Sequence, residues 1–121
     1  MENPMYRPKE FLAWAVETFG PIALKRSERL LRFTEEAIEL AHADGMKRAD
    51  LDRLIERVYS RTTGHVWREI GQAQACLETY AESIGTSANE QAQKEFDRVR
   101  TIPKEEWTKR HAAKVELGIA G

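Results

Sequence analysis

Apolar residues along this chain recur at three- and four-residue spacing, the period of an α-helix. No stretch alternates strictly between apolar and polar within hairpin turns, and valine is sparse. Helical punctuation recurs instead. Pro8 can open a first helix that Gly20-Pro21 closes. A second helix is predicted from about Ser27 to Asp44, stopped by Gly45, with Leu30, Leu31, Phe33, Ala37, Ile38, Leu40 and Ala41 as its apolar positions. Asp50 is placed to cap a third, whose stripe is Leu51, Leu54, Ile55, Val58 and Tyr59. Thr62 to Gly64 break the pattern, and a fourth helix carries Val66, Ile70, Ala73, Leu77, Ala81 and Ile84 up to Gly85. Ser87 with Glu90 three residues on forms a capping-box signature for a fifth helix that buries Ala92, Phe96 and Val99. Pro103 opens a sixth, with Trp107 and Val115. Short connections favour antiparallel neighbours, so the expected fold is an all-α bundle of about six helices, with residues 1–121 as one domain and no internal repeat.

Composition narrows the class. The chain has 121 residues, of which 41% are hydrophobic and 32% charged, more charge than the roughly 25% of ordinary globular chains. The net charge of −1 supplies no global field that would recruit nucleic acid or an anionic membrane. No apolar run approaches the roughly 18 residues of a membrane span, and the first residues lack the unbroken apolar core of a signal peptide. Cys76 is the only cysteine, so no intrachain disulfide can form, and a cytosolic setting is the default expectation. Six short helices make a small core. Burying helix faces between protomers would enlarge it, which leads to an expected homodimer or homotetramer.

The second helix contains RFTEEAIEL, residues 32–40, with Glu35, Glu36 and Glu39 in five positions. Like charges at helical neighbour spacing repel by a few tenths of a kcal/mol per pair. A solvated face balanced by Lys25, Arg26, Arg29 and Arg32 would tolerate this. The alternative is a cation site: Glu36 and Glu39 are three apart, and a hard divalent ion prefers oxygen ligands. On the fourth helix, Glu69 falls within the apolar arc between Val66, Ala73, Cys76 and Tyr80, and an unpaired buried carboxylate there would need an arginine or a metal. The metal reading joins Glu69 to Glu36 and Glu39 around Mg²⁺.

RFTEEAIEL resembles the E-E-x-x-E helix of the MazG-like all-α nucleoside triphosphate pyrophosphohydrolases, and EIGQAQACL resembles their second motif, E-x-x-D, with Glu69 in the first acidic place. The closer likeness is to the phage dATP/dGTP diphosphohydrolase (MazZ-type) branch, carried by FLAWAVETFG, ERLLRFTEEAIELAHADGM, VYSRTTG and EIG. It spans most of residues 11–85 and, more loosely, the basic tail WTKRHAAKVELG. Gln72 stands where the family has aspartate. The resemblance implies Mg²⁺, replaceable by Mn²⁺, held by Glu36, Glu39 and Glu69, with Glu35 holding a second ion or accepting the proton of the attacking water. It implies hydrolysis of dGTP or dATP to the monophosphate and pyrophosphate, a reaction that in some phages feeds 2-aminoadenine DNA synthesis. Arg32 and Gln72 fall among its substrate-contacting positions. Trp14 and Phe19 are core aromatics or the walls of a nucleobase pocket. Lys109, Arg110 and Lys114 are a solvated basic cluster or phosphate ligands.

Other chemistry is weaker. Glu39 and His42 make one E-x-x-H, but a di-iron carboxylate site needs a second copy, which the chain lacks. His65 and His111 have no metal-ligand spacing, and there is no Gly-rich phosphate loop, nucleophile elbow or zinc pattern. Cys76 reads as a small core residue. A non-catalytic helical adaptor, with Gln72 as the mark of a lost metal site, is the alternative from another functional class.

Overall fold

A computed structural model describes residues 4–121; the residues before Pro4, part of the segment read for a leader, lie outside the described residues. Six α-helices are present among them and no strand: α1 (Pro8–Phe19), α2 (Arg26–Ala43), α3 (Arg48–Tyr59), α4 (Val66–Ser83), α5 (Ala88–Val99) and α6 (Lys104–Glu116). A short 3₁₀ turn, Pro21–Leu24, follows α1 and was not foreseen from the sequence. No described helix is long and apolar enough to cross a membrane.

The punctuation worked where its chemistry was strong. Pro8 occupies the start of α1, where its missing N–H costs nothing. Gly45 and Gly85 take φ of 92° and 86°, and Met46 N and Thr86 N donate back to Ala41 O and Ala81 O at 2.9 and 3.0 Å, closing α2 and α4 with left-handed glycines. Asp50 is a correction. Lys47 is the N-cap of α3, and Asp50 lies inside its first turn, paired with Arg53. The helix begins at Arg48, two residues before Asp50, so this carboxylate lies past the cap position and meets Arg53 at i,i+3 instead.

The chain divides into two compact units, one running to Glu35 and resuming at Asn89–Gly121, the other Glu36–Ala88. The first has an aromatic core. Phe11 and Trp14 of α1 meet edge-on at 5.4 Å between ring centroids, Trp14 meets Trp107 of α6 at 5.5 Å, and Phe11 meets the buried Phe96 of α5 at 5.5 Å. The first two, edge-to-face pairs, are favoured by the ring quadrupole. Trp107 Nε1 donates to Val99 O at 3.2 Å, so the indole N–H is satisfied at the edge of the core. Gln93 ties the start of the chain to α5: its amide donates to Pro4 O and accepts from Tyr6 N.

The second unit has the helices but hardly any covered apolar side chain. Ala81 is its one fully buried residue among those described. Leu54, Ile55 and Val58 of α3 and Val66, Ile70 and Leu77 of α4 repeat at helical spacing and all remain exposed. Cys76, expected in the core, is exposed too. The amphipathic stripes therefore formed as the spacing predicts, and nothing among the described residues covers them. Tyr80 of α4 donates to Asp44 Oδ2 at 2.7 Å, and this hydrogen bond raises the phenol above its ordinary pKa because ionisation would set two anions together.

Candidate functional site

Helix α2 is built from good helix formers and from charge pairs laid along one edge. Arg32 is the hub. Its Nε lies 3.1 Å from Glu28 Oε1, an ion pair without hydrogen-bond alignment. Its NH1 donates to Glu35 Oε1 at 3.2 Å, and its NH2 donates to Ile119 O. Lys114 of α6 adds a second cation to the same Glu35 oxygen at 2.9 Å. Two cations thus compensate the half-buried Glu35 carboxylate.

One turn of α2 brings Glu35, Glu36 and Glu39 together, with a carboxylate oxygen from each within 4.8 Å of the others. The grouping follows from the helix itself, since Glu39 is a one-turn neighbour of both Glu35 and Glu36. Oxygens around one Mg²⁺, each at about 2.1 Å, lie at most about 4.2 Å apart, so small side-chain rotations convert this trio into a ligand set. The donor chemistry, all hard carboxylate oxygen with Glu36 and Glu39 exposed, suits a divalent cation that keeps several waters. Beside it, Ile38, Glu39, His42 and Leu51 line part of a groove of about 260 Å³ where the chain reverses from α2 into α3.

Glu69 differs from its expected placement. It is exposed, in the first turn of α4, and its Oε1 is turned back over Gly64, where an added Cβ would sit only 2.6 Å away. A carboxylate there is favoured by the positive end of the helix dipole. The apolar arc on which it falls is real but uncovered in the single chain, so burial does not demand a partner for it. Glu69 does not belong to the close carboxylate group among the described residues. Gln72 is exposed on the same helix.

Most of the other candidate residues are already engaged. Trp14 and Phe19 belong to the aromatic core, and Phe19 also packs on the His111 ring at 5.5 Å. Arg110 bonds Glu106 at 3.0 Å and lies over the Trp107 ring at 5.1 Å. Lys114 is bound to Glu35, and Lys109 is exposed.

Sequence reasoning passed over Glu28, the largest fully buried side chain, only 2% exposed. It accepts from Gly121 N at 2.7 Å as well as facing Arg32, with His111 Nδ1 at 3.9 Å. Neighbouring Arg29 has a lowered pKa, mainly through burial, with Glu28 opposing the shift. The available signal was the Glu28–Arg32 i,i+4 order, which is favourable on any helix and does not announce burial. No family model matches this chain, and neither do the curated proteins or the solved structures with which it was compared.

Proposed function

We propose that this protein is a metal-dependent nucleoside triphosphate diphosphohydrolase that converts a purine deoxynucleoside triphosphate, dGTP or dATP, to the monophosphate and pyrophosphate. The observation that carries the reading is the convergence of Glu35, Glu36 and Glu39 on one turn of α2, within the E-E-x-x-E pattern of MazG-like enzymes. Glu36 and Glu39, exposed and adjacent, would hold Mg²⁺ against the substrate phosphates, with Glu69 as a further carboxylate from α4. When bound, the ion polarises phosphoryl oxygens and lowers the pKa of a bound water. Glu35 either helps hold a second ion or accepts the proton of that water.

The test is product identity. Incubation with dGTP and Mg²⁺ should release dGMP and pyrophosphate in one step, and excess chelator should stop it. A diphosphate with inorganic phosphate as first products would reject the reaction class. Silence over the whole nucleotide panel would favour the adaptor reading.

The uncovered stripes of α3 and α4 belong to the same proposal. A second copy of the chain would cover them through an isologous contact, since the same apolar face occurs on each protomer. Light scattering should therefore report two or four chains per particle. A particle of one 13.9 kDa chain at micromolar concentration would contradict it.

A further inference from the structure

Several arginines of these helices pair with carboxylates one turn away, Arg48 with Asp52, Arg98 with Glu95 and Arg100 with Asp97. The segment 57–68, RVYSRTTGHVWR, offers its arginines no such partner. Arg57, Arg61 and Arg68 have no acidic residue three or four positions away on either side, and the segment contains no carboxylate at all. All three arginines are exposed. The two most exposed large apolar side chains of the described residues stand among them, Tyr59 at 86% and Trp67 at 83%. Two bare aromatic rings amid uncompensated guanidinium groups suit a ligand that joins flat rings to several negative charges.

The proposed reaction needs such a site. Most residues expected to take phosphate or base are occupied: Arg32 and Lys114 by Glu35, Arg110 by Glu106, Trp14 and Phe19 by the aromatic core, which leaves Lys109 and Gln72 exposed. A triphosphate brings more negative charge than one divalent ion beside carboxylates can offset. We infer that the segment joining α3 to α4 recognises the nucleotide, with Arg57, Arg61 and Arg68 contacting phosphate oxygens and Tyr59 and Trp67 stacking on the base. This segment and the Glu36–Glu39 pair lie in the same unit. The inference rests on the triphosphate reading for its choice of ligand, but it concerns binding, so it can be tested without turnover.

The experiment uses the full chain with dGTP and chelator, exciting tryptophan at the red edge. Trp67 is solvent-exposed while Trp14 and Trp107 are half-buried, so stacking on Trp67 should give saturable quenching that weakens as salt is raised. Trp67→Phe should abolish the quenching while calorimetry still detects binding. Trp67→Ala should weaken affinity roughly 10-fold. Arg61→Ala and Arg68→Ala should each weaken it about 10-fold or more, and inorganic triphosphate should compete. Undiminished quenching in Trp67→Phe, or parental affinity in both arginine variants, would overturn the inference. So would tighter binding of an oligo-dT strand than of dGTP, or a free-protein Trp67 emission already that of a buried indole, which would assign the segment to a strand or to a second copy. The two readings fail separately. Hydrolysis with unchanged binding in the variants removes the α3–α4 segment as the site and leaves the enzyme; variant-sensitive binding without hydrolysis does the reverse.

Discussion

Glu39→Ala is expected to lower turnover by roughly 10³-fold or more at saturating Mg²⁺, with the helical fold intact. Glu39 is the member of the trio that neighbours both others, so its loss breaks the ligand set whichever pair holds the ion. Removing metal-borne charge stabilisation from a phosphoryl transition state costs several kcal/mol, and about 4 kcal/mol corresponds to that factor. Stability should move the other way. Glu39 is exposed, alanine is the better helix former, and one like-charge contact disappears. Without metal, the thermal midpoint should hold or rise slightly. Glu35→Ala supplies the contrast, because it strips Lys114 and Arg32 of their shared acceptor and should lower stability as well as rate. Turnover of Glu39→Ala within tenfold of the parent would remove the metal role from this helix.

How much of this was legible beforehand follows from the range of each interaction. Helix ends set by Pro8, Gly45 and Gly85 were readable, because φ restriction and left-handed glycine act within a few residues. The acidic trio was readable for the same reason: positions three and four apart on a helix meet whatever else the chain does, and Glu39 stands so to Glu36 and Glu35. Asp50 misled because the helix starts two residues earlier, at Arg48, which puts the residue that looked like a cap inside the first turn.

What depended on distant segments was not legible. A helical wheel identifies an apolar arc but not what covers it. The arc of α4 is present, yet Glu69 and Cys76 on it are exposed in the single chain. The basic cluster looked available to phosphate because its partners lie far off in sequence. Lys114 meets Glu35 across 79 positions. Trp14 finds Trp107 only once α1 packs on α6.

Glu28→Ala is expected to be the most damaging single change to stability, lowering it by about 3–5 kcal/mol, the usual cost of leaving a buried ion pair with one partner. Its carboxylate is almost wholly buried and serves three neighbours: the Arg32 guanidinium, the Gly121 N–H and, at longer range, His111. Arg29 beside it is already disfavoured by burial, and its Nε is buried without a hydrogen-bond partner, so Glu28 is the charge that offsets two crowded arginines. Removing it leaves them facing each other with less compensation, and a domain of this size should lose on the order of 10 °C in thermal midpoint. Glu28→Gln separates charge from hydrogen bonding. Its amide oxygen can still accept from Gly121 N, while the counter-charge is gone, so its midpoint should fall between the parent and Glu28→Ala. The Gly121 amide should stay protected from hydrogen exchange in Glu28→Gln and lose protection in Glu28→Ala. A loss below about 1 kcal/mol in Glu28→Ala would mean that the pair behaves as an exposed one in solution.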